Sequence, residues 1–197
     1  MSERTTELWL IRHGETEWSK SGQHTSFTDL PLTPFGVEQA KRLQPVLAKV
    51  DFDLVLTSPR QRAMVTAELA GIHHRAEVDE DLQEWNYGIH EGVTTAQVHE
   101  TDPTWNVWRS ENPGGEWLAQ VEARTERVIE RCMESGGRCA LIAHAHVFRV
   151  LAGMFLVKEG IFGEHLMLST ASISVLGIDR GVRVIKRWNE MPPQPVS

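Results

Sequence analysis

The sequence predicts an α/β protein: a three-layer α/β/α sandwich built on a mainly parallel sheet, with an antiparallel edge strand. Three observations predict it. Short apolar runs of strand length alternate with stretches whose apolar residues recur at helical spacing. Two of those stretches open with a hydroxyl residue followed by proline, at Thr33-Pro34 and Ser58-Pro59. The final two apolar runs are separated only by Asp179-Arg-Gly181, a turn that joins antiparallel neighbours.

Taken in order, Leu8-Trp-Leu-Ile11 is a buried strand. Thr33 caps a helix along which Val37, Ala40, Leu43 and Leu47 recur, and Pro45 is expected to kink or shorten it. Asp53-Leu-Val-Leu-Thr57 is a second strand, and Ser58-Pro59 starts a helix reaching about Ala70. A short apolar segment follows at Ala76 to Val78. From Asp79 to Pro113 the chain is polar, rich in tryptophan and without a readable period. Between Glu116 and Glu134, Trp117, Val121, Val128, Ile129 and Cys132 mark one face of a long helix. Cys139-Ala-Leu-Ile-Ala143 is another buried strand, followed by a helix from about His146 to Leu156. Ser172 to Ile178 and Val182 to Trp188 form the closing hairpin, and Met191 to Ser197 is expected to be a loose terminus. The reading is one domain over residues 1–197, with a cap-like loop and helix segment at about 80–115.

A chain of 197 residues is long enough for one substantial core. Its net charge of -7 argues against a whole-surface attraction to nucleic acid or an anionic membrane, and leaves room for a local cationic pocket. Cys132 and Cys139 are too few for a disulfide framework. Met1 to Glu7 is polar, without the apolar stretch of a signal peptide, and Val150 to Val157 is too short to span a bilayer. A reduced, cytoplasmic protein is expected.

Three of the strands end in polar groups of one character. The first ends in Arg12-His13-Gly14. The second ends in Thr57-Ser58, with Arg62 one turn into the next helix. The third ends in His144-Ala145-His146. Parallel strands bring their carboxyl ends to one sheet edge, where open α/β sheets bind ligands. Two helix N-termini are expected at the same edge. Singly, each arginine reads as a surface partner and each histidine as packing. Together, two arginines, two histidines and two helix N-termini form a site for a compact dianion, which means phosphate.

Leu10-Ile-Arg-His-Gly-Glu-Thr-Glu-Trp18 resembles the first signature of the histidine phosphatase superfamily, the phosphoglycerate-mutase-like proteins. Thr57-Ser-Pro-Arg-Gln-Arg-Ala63, Leu82-Gln-Glu-Trp-Asn-Tyr-Gly88 and Leu141-Ile-Ala-His144 resemble the second, third and fourth, in the family's order. The resemblance implies that His13 accepts the phosphoryl group, that Arg12, Arg62 and His144 clamp it, and that Glu84 serves as general acid and then general base. A phosphohistidine splits one hard hydrolysis into two easier steps. A carboxylate with two such roles works best near its own pKa, so a mildly acidic optimum is expected.

Phosphatases and phosphoglycerate mutases share this resemblance. Ser19, Thr25 and Ser26 match positions that contact substrate, but the mutase pattern has asparagine at Ser19 and glycine at Ser26. It also carries a lysine where this chain has Thr95, and its cofactor-dependent members have an insertion with an arginine pair where this chain has Trp105-Asn-Val-Trp-Arg109. The segments Trp18 to Thr25, Thr28 to Thr33 and Glu84 to Gly88 look more like the acid phosphatase and sedoheptulose-1,7-bisphosphatase branch. That likeness implies a small-molecule phosphate ester, a sugar phosphate or bisphosphate, with Tyr87 and Ala145 beside it; for His24 and His146, contact with a second phosphate or hydroxyls and a packing or surface role both stay open. Ala145 stands where the family has glycine. No cofactor and no metal is expected: His73-His74 reads as a surface loop, and no cysteine or carboxylate cluster accompanies His144 and His146. The rival readings are a phosphoglycerate mutase and a noncatalytic phosphate sensor. For Trp85, Trp105, Trp108 and Trp117 a lid, a contact in a homodimer and simple packing all stay open.

Overall fold

Strand β1 (Glu7–Arg12) turns Leu8 and Leu10 to one side of the sheet and Trp9 and Ile11 to the other, and this alternation divides the interior into two cores. The computed structural model describes residues 6–193. After β1 come α1 (Glu17–Ser21), α2 (Pro34–Leu47), β2 (Leu54–Thr57), α3 (Gln61–Leu69) and β3 (Ala76–Val78). Then follow α4 (Thr95–His99), α5 (Leu118–Ser135), β4 (Arg138–Ala143), α6 (Ala145–Val157), β5 (Ile173–Asp179) and β6 (Val182–Glu190). The six strands stand in the order β3-β2-β4-β1-β5-β6. The first four run parallel, β5 runs antiparallel to β1, and β6 runs antiparallel to β5. Arg180 and Gly181 both have positive φ, as the tight turn between these two strands requires.

On one face, Leu8, Leu10, Leu56 and Leu141 pack under α5 and α6 through Val128, Ile129, Phe148 and Phe155. On the other, Trp9, Ile11, Val55 and Ile142 pack under α2 and α3 through Leu43, Leu47, Ala63 and Ala67. The predicted three layers are therefore present. Each fully buried leucine or isoleucine contributes about 1.5–3 kcal/mol.

Three local expectations are corrected. Pro45 does not shorten α2, which continues through it to Leu47. Pro45 lies on the exposed face, as does Lys41, whose carbonyl loses its helical donor and can turn to water. The helix expected from Ser58-Pro59 begins at Gln61, after an Arg60 cap without a side-chain bond. The Ser58 hydroxyl oxygen meets His144 Nε2 at 2.8 Å and accepts from Arg60 N at 3.4 Å. Trp117 is not on the buried face of α5: it precedes the helix as its N-cap and is 52% exposed. Trp85, Trp105 and Trp108 instead pack with Tyr87, Val98, Val121 and Val150 in a third apolar cluster. The expected loose tail lies, from residue 194 on, outside the described residues. Among those described, no helix is long and apolar enough to cross a membrane.

Candidate active site

The parallel register aligns the strand ends. Arg12 pairs with Ala143 and Thr57 with Ile142. The ladder runs one step further, with His13 N donating to Ala143 O at 3.0 Å and Ser58 N to Ile142 O at 2.9 Å. His13, Ser58 and His144 therefore leave the sheet at one edge. Gly14 is required here for a steric reason. A Cβ on it would come within 2.4 Å of the Gly36 carbonyl oxygen, so only glycine lets the chain turn this close to α2.

His13 is buried, and its Nδ1 lies 2.7 Å from Gly14 O. A carbonyl oxygen only accepts, so Nδ1 carries the hydrogen and Nε2 keeps its lone pair. Burial first, then the charges of Arg62 and Arg12, hold the His13 pKa well below the usual histidine value. The ring is neutral. The Arg12 Nη1 donates to Leu168 O at 2.5 Å, whereas its buried Nε has no partner among the described residues. Such an orphaned guanidinium N–H is costly unless an anion meets it.

Arg62 is almost fully buried and largely engaged. Its Nε donates to His144 Nδ1 at 3.2 Å, and its Nη atoms donate to the carbonyls of Ser26 and Thr28 at 3.0 and 3.1 Å, and of Thr25 at 3.4 Å. The His144 ring stands 5.1 Å from that of His13, edge to face. Burial and then the Arg62 charge hold its pKa well below the usual value. The two helix N-termini are engaged too. Gln61 N, at the start of α3, donates to Asp29 Oδ1 at 2.9 Å. At the start of α6, His146 N and Val147 N donate to the Glu84 carboxylate at 3.0 and 2.8 Å, and Trp85 N adds a third bond at 2.9 Å. Glu84 thus fills the place at α6 that the sequence reading left for a free anion.

A pocket of about 360 Å³ opens above His13. Of the residues singled out from sequence, Arg12, His13, Ser19, His24, Thr25, Glu84, Tyr87, Ala145 and His146 line it. Arg62, His144 and Ser26 are buried and are not among the residues that line it. The Ser19 hydroxyl is committed to the α1 capping box, donating to Thr16 O at 3.0 Å and accepting from Thr16 N at 2.8 Å. Ser26 uses its amide on the Glu91 carboxylate at 2.9 Å and its carbonyl on Arg62. Tyr87 Oη and His146 Nδ1 share a 2.7 Å hydrogen bond, and burial drives the tyrosine pKa up and the histidine pKa down, so both are neutral. His24 packs on the rings of Tyr87 and Trp105, and burial lowers its pKa to about 4. Ala145 is the first residue of α6 and has no positive φ, so alanine is accommodated without strain where the family has glycine.

The sequence reading missed Arg149, which also lines the pocket. It donates to Gly163 O and Glu164 O at 3.0 and 3.2 Å, and its guanidinium lies 4.7 Å from the centre of the Trp108 ring. The signal was present: Arg149 follows Ala145 by four residues on a helix that starts at the site, so it shares that face. His73 and His74 are exposed, as expected. Among the described residues, no group of three or more His, Cys, Asp or Glu side chains could hold a metal ion.

The family model described as histidine phosphatase superfamily (branch 1) matches residues 8–191. The chain is 37% identical to an acid phosphatase of Mycobacterium tuberculosis over 202 residues, spanning 100% of this chain and 99% of that one. It is 35% identical to sedoheptulose 1,7-bisphosphatase of Saccharomyces cerevisiae over 187 residues, spanning 79% of this chain and 69% of the relative. The solved structure of an open-reading-frame product of Mycobacterium tuberculosis matches with a TM-score of 0.90 at 35% identity, covering 95% of this chain and 99% of that one.

Proposed function

We propose, from the premise that the chain belongs to the histidine phosphatase superfamily (branch 1), that it hydrolyses a sugar phosphate or bisphosphate through a phosphohistidine on His13. The observation that carries this reading is the His13 tautomer. With Nδ1–H held by Gly14 O, the bare Nε2 is the only ring nitrogen able to attack phosphorus.

In the first step Nε2 attacks in line. The N–P bond forms as the ester O–P bond breaks, and the leaving oxygen takes a proton from Glu84. In the second, Glu84 receives a proton from water as the water oxygen attacks phosphorus, and the N–P bond breaks to release phosphate. The unpartnered Nε of Arg12 meets the phosphoryl oxygens, and the Arg62 and His144 pair beside His13 supports the charge from behind. The pocket volume suits a sugar-sized group, and Trp18, His24 and Tyr87 are among the residues that line it. Arg149 offers a cation for a second anionic group. Thr95, where the mutase pattern has lysine, lines the same pocket without charge, which favours water over phosphoglycerate reorientation. The buried free thiols of Cys132 and Cys139 suit a reduced, cytoplasmic setting.

The test is a panel of phosphosugars, sugar bisphosphates, phosphoglycerates and an aryl phosphate, incubated with the protein and with His13→Ala. The expected result is free phosphate from the native protein alone, and an acid-labile, base-stable ³²P adduct trapped on His13. Isomerised phosphoglycerate without phosphate release identifies a mutase, and binding without turnover identifies a sensor. Either outcome overturns the proposal.

A further inference from the structure

Arg124 lies on α5, outside the pocket lining, and is 7% exposed. Its guanidinium grips two things at once. Nε and Nη2 donate to the two carboxylate oxygens of Glu116 at 2.9 and 3.1 Å, and Nη1 donates to the carbonyls of Asp81 and Gln83 at 2.7 and 2.6 Å. Glu116 holds the other side of the same segment. Its carboxylate accepts from Asn86 N at 2.8 Å, its carbonyl accepts from the Trp85 indole N–H at 2.9 Å, and its amide donates to Asn86 O at 2.8 Å.

Glu84 lies in the middle of this span. Residues 83–87 are neither helix nor strand, so no ladder fixes their backbone. Backbone polar groups in such a segment must find partners elsewhere. Here, the partners at Gln83 and Asn86, on either side of Glu84, come from one ion pair. A part-buried ion pair is a weak source of net stability, because desolvating it costs about as much as its attraction returns. Its bidentate fork and four-way geometry are instead suited to holding a backbone in one place.

We propose that Arg124 and Glu116 are positioning residues for the proton-transferring carboxylate of Glu84. They fix the backbone on both sides of it, while the α6 amides fix the carboxylate itself. This rests on the reading of Glu84 as the proton donor. A shift of an ångström in such a group costs roughly 100-fold in rate, without the loss of any catalytic atom.

The experiment measures kcat/KM, which reports on His13 phosphorylation, for 2,4-dinitrophenyl phosphate, p-nitrophenyl phosphate, phenyl phosphate and an alkyl phosphate. The proteins are the native chain, Glu84→Gln, Arg124→Lys, Arg124→Met and Glu116→Gln, with folding checked by thermal unfolding. A good leaving group departs without a proton, and a poor one does not. Glu84→Gln is expected to lose roughly 100- to 10,000-fold on the alkyl ester and little on the dinitrophenyl ester. The Arg124 and Glu116 variants are expected to repeat that slope at roughly 10- to 100-fold. If Glu84→Gln shows the slope and the folded Arg124 and Glu116 variants lose all esters equally, or none, the positioning role is overturned and the acid role stands. If Glu84→Gln itself shows no slope, the acid role fails and the positioning role falls with it. Should Arg124→Met not fold, Arg124→Lys and Glu116→Gln still decide, since each retains part of the hydrogen-bonded grip.

Discussion

The Arg62 Nε–H donates to Nδ1 of His144 at 3.2 Å, and this bond decides which hydrogen His144 carries. With Nδ1 accepting, Nε2 holds the hydrogen and donates it to Ser58 Oγ at 2.8 Å. The same guanidinium holds the loop carbonyls of Thr25, Ser26 and Thr28. Arg62 therefore couples the edge of the sheet to the loop that walls the pocket.

Lysine at this position keeps the charge and loses the fork. Arg62→Lys is expected to lower kcat/KM roughly 100- to 1,000-fold and to lower the melting temperature, because buried carbonyls and His144 Nδ1 lose donors. A steady-state assay and a thermal melt check it. Near-native values for both would show that charge alone is enough.

Acid should destabilise the fold through its buried histidines. His13, His144 and His146 have native pKa values held well below the unfolded value, with burial the largest cause, and His24 is lowered to about 4. Below the ordinary histidine pKa, the unfolded chain binds protons that the native one refuses, so stability is present above that pH and is lost as pH falls. Each such group contributes up to about 1.4 kcal/mol per pH unit below its unfolded value. Melting temperatures are expected to stay nearly level from pH 7.5 to the ordinary histidine pKa of 6.5 and then to fall increasingly toward pH 5, less steeply in His146→Gln. A flat profile over that range contradicts the burial argument.

Arg149 lines the pocket, while its guanidinium lies over Trp108 and is tied to the carbonyls of Gly163 and Glu164. Arg149→Met is expected to raise KM for a sugar bisphosphate roughly 10- to 100-fold, the worth of one charge-assisted contact. An aryl monophosphate should change little. Equal losses on both would move Arg149 from the second anion to the transferred phosphate.

Ala145 begins α6 with ordinary helical geometry. Ala145→Gly is expected to leave kcat near its native value and to cost at most about 1 kcal/mol of stability. Enzyme kinetics and a denaturant titration test this. A large gain in kcat would mean that the methyl group narrows the path of the substrate.

The sheet, its parallel order and the edge bearing His13, Ser58 and His144 were legible because each rests on a local cause. Apolar alternation sets the strands, helical spacing sets the crossovers, and strand direction sets the shared edge. Pro45 did not shorten α2, because the penalty of a helical proline depends on whether the carbonyl it displaces faces water, which is a tertiary property. Trp117 was misread because helical spacing from Val121 does not show where the helix begins: it starts at Leu118, and Trp117 caps it.

The sequence by itself determined which chemical groups meet at the carboxyl edge, since chain direction and periodicity are written in the order of residues. Only the tertiary structure decided how those groups are occupied. The Glu84 carboxylate takes the α6 amides, Arg62 takes the carbonyls of Thr25, Ser26 and Thr28, and the Arg12 Nε is left without a partner among the described residues. Those choices depend on distances between segments far apart in the chain, where hydrogen-bond geometry selects one partner among several that composition would allow.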